Sequence, residues 1–180
     1  MPGLPSEQVF LQQTIFEFER LKKLSESAIA QVTDEQLFLV PAADANSMAV
    51  IMRHLSGNMI SRWTDFLTSD GEKPWRNRDA EFEEQTMSRE ELMTLWEKGW
   101  TVFLDTLRSL KTDDIQKTVT IRGEVLLVMQ AILRQLGHYS YHVGQLIFVA
   151  RMHCGENWKS LSIPRGKSSD HSQGNYLGKK

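Results

Sequence analysis

Apolar residues recur every three or four positions in four long segments of the chain, which is the pattern of an amphipathic helix. The segments run approximately over residues 6–32, 47–69, 88–110 and 128–153. Ser88 and Glu91 have the spacing of a capping box at the start of the third segment. That segment carries the most regular apolar stripe: Leu92, Trp96, Trp100, Phe103, Leu107 and Leu110. Four helices of roughly six turns each are typical of an all-α four-helix bundle.

Two connections between these segments add detail to the bundle. Residues 117–121 are β-branched and alternating, residues 122–124 indicate a turn, and the apolar residues 125–127 follow, which predicts a small hairpin between the third and fourth helices. The link between the second and third helices, residues 70–87, is far longer than the usual ~2–8 residues. It is long enough to run the length of a ~30 Å helix, which would make these two helices parallel and the bundle up-down-down-up. Antiparallel helices joined by a long excursion are the alternative.

Length and composition limit the possible classes of function. The 180 residues suit one domain, which we place at residues 1–168, with 169–180 as a flexible tail rich in Ser, Gly and Lys. The net charge of −2 and the scattered basic residues argue against nucleic acid and anionic membranes as partners. No apolar run approaches the ~20 residues of a membrane span, and residues 1–7 lack the features of a signal peptide. The single cysteine, Cys154, suits a reducing cytoplasm, where we expect the protein.

Three histidines are the candidate metal ligands. His138 and His142 lie four residues apart on the fourth predicted helix, so they share a face, and His54 lies on the second. The spacing alone is a weak signal, because a chain with five histidines often has such a pair by chance. Their placement adds weight, since polar groups on otherwise apolar helices need partners when buried. One metal ion between the two helices would supply a partner for all three.

The donor type limits the metal without selecting it. Neutral imidazoles favour zinc or nickel, with iron, manganese or cobalt as alternatives. Three protein ligands leave coordination positions open, which is the catalytic pattern. His153 is ~16 Å farther along the helix axis than His142, too far to share the ion. His171 lies in the predicted tail, where we expect it to be solvated.

Two reaction types remain open for such a site. The sequence does not favour a protease of the His-Glu-x-x-His type, because Tyr139 follows His138 where the glutamate would be. No other carboxylate is evident on the faces that carry the ligands, so a hydrolase would depend on the metal to activate its own water. A thiol cosubstrate needs no separate base, because a metal deprotonates a thiol that it coordinates. A metal-binding scaffold without catalysis is the hypothesis from a different class.

Four side chains near the ligands are candidates for substrate contacts. Arg62 and Arg134 lie two turns and one turn from the histidines and could hold carboxylates of a low-molecular-weight thiol. A solvated position or a salt bridge within the bundle is the alternative for both arginines. Tyr141 and Tyr139 could polarise a substrate, although tyrosines on such helices are more often core residues.

The loop 70–79 also has open interpretations. It contains Pro74, Trp75, Arg76 and Arg78, and exposed Trp and Arg favour interfaces. The loop could close over the site, form a dimer contact, or simply be fixed to its own bundle by Trp75 and Phe82.

The chain resembles the DinB (damage-inducible) superfamily of four-helix-bundle proteins. His54 on the second helix and His138-x-x-x-His142 on the fourth match its histidine pattern. Blocks 58–67, 70–79 and 160–168 look like those of a DinB-like subfamily without an assigned activity. The resemblance covers the chain to about residue 168. It implies an up-down-down-up bundle, a three-histidine divalent metal site and a homodimer. Some relatives are thiol-dependent transferases or isomerases, and others are labelled metal-dependent hydrolases.

Overall fold

A computed structural model describes residues 3–83, 86–167 and 169. In this part of the chain the structure is mostly helical, with five α-helices and one antiparallel pair of strands. In chain order the elements are α1 (Ser6–Ile29), α2 (Asp34–Phe38), α3 (Met48–Trp63), α4 (Arg89–Ser109), β1 (Thr118–Ile121), β2 (Glu124–Leu127) and α5 (Val128–Cys154). The four long helices are those that the apolar pattern predicts, and the hairpin lies between α4 and α5.

Helix boundaries follow the capping residues where these are present. The Ser88 side chain accepts a hydrogen bond from the Glu91 backbone N–H, and the Glu91 carboxylate accepts one from the Ser88 N–H, as the capping box predicts. The end of α3 was predicted at residue 69 and is wrong by six residues, because the helix ends at Trp63. Thr64 is extended, with φ of −68° and ψ of 126°, which ends the helix, and Asp65 follows in the left-handed region with φ of 52°.

The turn of the hairpin holds the start of the long loop after α3. Its turn residues, Arg122 and Gly123, both have positive φ, of 56° and 75°, as a two-residue turn of the primed type requires. The backbone N–H groups of both turn residues donate to the carboxylate of Asp70. The Gly71 N–H donates to the Thr120 carbonyl at 2.8 Å. The start of the 70–83 loop is thereby fixed beside the hairpin.

Two contacts give the relative direction of α3 and α4. The Thr106 hydroxyl donates to the Trp63 carbonyl at 3.0 Å, and Gly99 lies directly against the backbone of Ser56. The same residue offset separates both pairs, so the two helices run in the same direction. The long connection between them allows this parallel packing.

The neighbouring helices run in the opposite direction to this pair. Glu19 of α1 forms a salt bridge with Arg108 of α4 at 2.8 Å, and Lys22 forms one with Glu97 at 2.7 Å. Residue numbers rise along α1 as they fall along α4, so these helices are antiparallel. The core between the helices includes the predicted apolar stripe of α4, all of which is buried: Leu92, Trp96, Trp100, Phe103, Leu107 and Leu110.

Gly99 permits the close approach of α4 to α3. A Cβ atom at this position would lie 2.9 Å from the Cα of Ser56, and helix backbone cannot move aside as a flexible side chain can. We expect Gly99→Ala to lower the free energy of unfolding by about 1–3 kcal/mol, measured by urea denaturation. Gly137→Ala is the matched control, because no described atom outside its own stretch of helix lies within 4 Å of its added Cβ, and stability should be equal or higher. Equal stabilities of the two variants would contradict this packing.

The described C-terminal segment returns to the helices. Trp158 is partly buried against the core, and the Lys159 N–H donates to the Gln31 side chain at 2.7 Å. Cys154 is free and buried at the end of α5. The predicted flexible tail lies outside the described residues apart from Ser169, and so does His171. Within the described residues, none of the helices is both long and apolar enough to cross a bilayer.

Candidate metal centre

The three predicted histidines converge between α3 and α5. The Nε2 atoms of His54 and His138 are 3.3 Å apart, and the ring of His142 lies 4.7 Å from that of His138 and 5.0 Å from that of His54, between centroids. One ring nitrogen from each histidine lies within 4.8 Å of the other two. Nitrogen ligands on a tetrahedral zinc ion at ~2.05 Å are about 3.3 Å apart. The cluster therefore could hold one metal ion with small adjustments.

Hydrogen bonds at Nδ1 orient two of the three rings. The Nδ1 of His54 lies 2.9 Å from a carboxylate oxygen of Glu81, and the Nδ1 of His142 lies 2.8 Å from the side-chain oxygen of Gln145. An oxygen partner fixes the ring proton on Nδ1, so Nε2 is free to bind a metal. Both rings therefore keep Nε2 unprotonated and available as a ligand atom.

His138 has a different partner. Its Nδ1 lies 2.9 Å from the amide nitrogen of the fully buried Gln135, whose amide oxygen accepts from Arg62 at 3.3 Å. In this arrangement Nδ1 accepts, and the proton of the neutral ring is on Nε2. For His138 to be a ligand through Nε2, its proton must move to Nδ1 and the Gln135 amide must turn its oxygen toward the ring. The orientation of the Gln135 amide therefore affects both the protonation of His138 and the hydrogen bond of Arg62.

Glu81 is the site residue that the sequence pattern did not reveal. It comes from a short 3-10 turn, Asp79–Glu81, in the loop after α3, so no helical spacing relates it to the histidines. Arg76 donates to both of its oxygens, at 2.7 and 2.8 Å. Burial alone would raise the pKa of Glu81, but the hydrogen bonds from His54 and Arg76 lower it below its ordinary value. Glu81 is therefore an ionised partner that orients a candidate ligand.

Two features of α3 hold the loop against the cluster. One nitrogen of the buried Arg53 guanidinium donates to the carbonyl oxygens of Ala80, Glu81 and Glu83 at 2.6–2.8 Å. Gly57 leaves room for the Glu81 carboxylate, because a Cβ there would lie 2.2 Å from its oxygen. The loop therefore covers the His54 side of the site.

The two aromatic residues of the loop, Phe82 and Trp75, lie in different environments. Phe82 packs its ring 4.9 Å from that of His54. Trp75 is 59% exposed, so the interpretation that it fixes the loop to the bundle is wrong. Phe82 and the hydrogen bonds from Arg53 hold this part of the loop against α3, without Trp75.

The predicted substrate-contact residues fall into different environments. Arg62 is buried and Arg134 is exposed with a 3.3 Å salt bridge to Glu124, yet both line one pocket of about 180 Å³ that His54 and His138 also line. Tyr141 is 63% exposed and its ring lies 5.1 Å from that of His142. The structure thus brings Arg62 and Arg134 to one pocket with two of the histidines and places Tyr141 beside the third.

Tyr139 is a core residue rather than a site residue. Its ring is fully buried, and its hydroxyl donates to the Asn58 side chain at 3.3 Å. Burial raises its pKa far above the ordinary value, so the hydroxyl stays protonated.

The buried imidazoles predict a characteristic loss of stability in acid. Burial, with smaller contributions from His142 and His54, lowers the pKa of His138 to about 3, and burial also lowers the pKa of His142. Between an unfolded-state pKa of about 6.5 and these values, the unfolded chain binds protons that the folded chain does not. We therefore expect the free energy of unfolding of the metal-free protein to be highest above pH 6.5 and to fall toward pH 3, on the order of a few kcal/mol.

Urea denaturation at pH 7.5 and pH 5 measures this dependence. His138→Gln removes one of the two titrating rings, so the difference in unfolding free energy between the two pH values should shrink. An undiminished difference in that variant would contradict the assignment of the pH dependence to the cluster.

Comparison with known proteins gives a family for the chain. No curated protein and no solved structure matches it. A family model described as "Protein of unknown function (DUF1572)" matches residues 6–167, which include all three histidines, Glu81 and the pocket-lining arginines. The match covers most of the chain, and the protein is therefore a member of the DUF1572 family.

Proposed function

We propose that this protein is a metal-dependent enzyme acting on small molecules, with a divalent ion held by His54, His138 and His142. The observation that supports this most strongly is the convergence of three ring nitrogens within 4.8 Å, two of them freed by oxygen partners at Nδ1. Zinc and nickel suit the donor set best, with iron, manganese and cobalt as alternatives. The fold in this proposal is the DinB-like up-down-down-up four-helix bundle, in accord with the helix directions described above.

Transfer of a thiol is the reaction that the site supports best. Both oxygens of Glu81 are occupied by Arg76 and His54, so this carboxylate is not available as a general base. Among the described residues, no carboxylate lines the pocket beside the cluster. A bound metal would supply the one activation needed, by lowering the pKa of a coordinated thiol. The arginines of the pocket hold the substrate, and the Arg53-fixed loop limits the access of water.

Hydrolysis is the second candidate function. The same open coordination positions would suit a water molecule whose pKa the metal lowers toward ~7, and that route also needs no protein base. A non-catalytic metal-binding scaffold, related to stress, is the alternative from a different class. A thiol substrate would place the protein in a reducing compartment such as the cytoplasm.

A homodimer completes the proposal. One face of α5 carries four large apolar side chains that are exposed in the single chain: Leu133, Tyr141, Phe148 and Met152. Exposed apolar side chains that share one helix face are typical of a protein interface. We propose that a second copy of the chain covers it, which sedimentation equilibrium would show as a doubled mass.

Cobalt-substituted protein tests the reaction type. We expect the visible spectrum of the Co²⁺ form to change when glutathione-, bacillithiol- or mycothiol-type compounds are added, because a thiolate enters the coordination shell. The His142→Ala variant is the control for the site. A spectrum unchanged by thiols, together with turnover of ester or amide substrates, would favour hydrolysis. A spectrum unchanged by any added ligand would favour the scaffold.

A further inference from the structure

The pocket beside the histidine cluster is strongly cationic. Five arginines line its 180 Å³, together with His54, Asn58 and His138. The arginines come from α3, the loop, the hairpin turn and α5, and they are Arg62, Arg76, Arg78, Arg122 and Arg134. Because no acidic side chain among the described residues lines the pocket, its field favours an anion.

Three of these arginines already have carboxylate partners outside the pocket. Arg76 pairs with Glu81 at 2.7 Å, Arg122 with Glu72 at 2.8 Å, and Arg134 with Glu124 at 3.3 Å. The last two pairs are largely solvent-exposed, so they contribute little and can open when a ligand binds.

Arg62 differs from the other arginines because it is buried without a carboxylate. Its side chain belongs to a residue that is 7% exposed, and one guanidinium nitrogen donates to Gln135 at 3.3 Å. Its Nε atom is buried and has no hydrogen-bond partner among the residues that the structure describes. Burial lowers the pKa of Arg62, and the nearby Arg134, Arg76 and Arg122 add to this effect. A buried charge of this kind is costly unless an opposite charge compensates it.

We propose that the arginine pocket binds an oxyanion group, a carboxylate or a phosphate, of the small molecule on which the protein acts, and that Arg62 is its principal partner. Planar guanidinium groups bind both kinds of oxyanion through paired hydrogen bonds. The oxyanion supplies the charge that Arg62 lacks and an acceptor for its free Nε.

The distance between the pocket and the histidine cluster indicates how far apart the two binding groups of that molecule are. Arg134 is one helical turn from His138, and Arg62 is two turns from His54, which corresponds to about 6–12 Å along the helices. The substrate therefore carries its anionic group a few bonds away from the group that reaches the histidine cluster. This last statement depends on the proposed function, whereas anion binding by the pocket does not.

Calorimetric titration of the full-length protein tests the proposal, at constant ionic strength and with and without bound cobalt. The probes are inorganic phosphate, propionate, 3-mercaptopropionate and the neutral 2-mercaptoethanol. We expect phosphate or propionate to bind the metal-free protein, and the tighter of the two identifies the oxyanion. Arg62→Gln should weaken this binding of the metal-free protein at least tenfold. Arg151→Gln, at an exposed arginine near the end of α5, should bind as the wild type does.

Thermal stability separates a binding role of Arg62 from a structural one. If the role of Arg62 is to bind the anion, Arg62→Gln removes an uncompensated buried charge and should raise the Tm of the anion-free protein. Addition of phosphate or propionate should then not raise the Tm of this variant further. A lower Tm with unchanged anion binding would overturn the proposal, and so would wild-type protein that binds neither anion. If 3-mercaptopropionate binds the cobalt form no more tightly than propionate does, the anion pocket stands and the thiol function fails.

Discussion

Replacement of His142 by alanine is expected to reduce the metal content of the purified protein from about one ion per chain to less than about a tenth. Two imidazoles on separate helices bind a divalent ion far more weakly than three, and the lost affinity should exceed the ~10–100-fold effect of losing an outer partner. The measurement is elemental analysis after dialysis against metal-free buffer. Because His142 is only half-buried, the variant should keep the fold, which circular dichroism checks.

His153→Ala is the matched control for this prediction. It removes a histidine from the same helix about three turns beyond His142, outside the cluster, and should retain full occupancy. Equal metal content in the two variants, whether both full or both empty, would contradict the assignment of His142 as a ligand.

Replacement of Glu81 by glutamine is expected to weaken metal binding by about 10–100-fold without abolishing it. The amide keeps the shape of the side chain but removes the negative charge of the carboxylate. That charge orients the His54 ring and makes its Nε2 a stronger ligand for a metal ion. Titration against a competing chromophoric chelator measures the change. Glu83→Gln, two residues along the same loop, removes a carboxylate that is exposed and should bind metal as the wild type does.

Gly57→Ala tests the same contact without changing the carboxylate. An added Cβ would meet the Glu81 oxygen at 2.2 Å, so the carboxylate must leave its place, although the end of a flexible side chain moves at little cost in stability. We expect weaker metal binding with near-normal unfolding free energy. If both Glu81→Gln and Gly57→Ala bind metal with wild-type affinity, Glu81 has no part in the site.

The helices and the histidine cluster could be predicted from the sequence because each depends on local spacing. The i,i+4 pair His138 and His142 and the polar position of His54 define faces that must meet when two helices pack. The Ser88–Glu91 capping box likewise fixed the start of α4. The end of α3 was missed because Phe66 continues the apolar spacing of the helix, although it reaches the core from a turn and stacks on Trp63 at 4.3 Å.

The rest of the site depends on contacts that spacing does not encode. Glu81 reaches His54 from a loop, and Arg53, Arg76 and Gly57 set its position. No spacing in the sequence relates these three residues to Glu81. The two predicted arginines also looked equivalent, since each lies on a ligand-bearing helix face. Contacts with Gln135 of α5 and with Gly71 of the loop bury Arg62, whereas Arg134 stays at the surface with Glu124.

X-ray absorption spectroscopy of protein purified without chelators and loaded with one equivalent of Zn²⁺ tests the central claim most directly. A shell of three imidazole nitrogens at about 2.0–2.1 Å, completed by oxygen or by sulfur when a thiol is added, is the result expected for a catalytic site built from two helices. The shell should lose one nitrogen in His54→Ala. An absence of imidazole scattering, or a shell that His54→Ala leaves unchanged, would contradict the proposed metal centre.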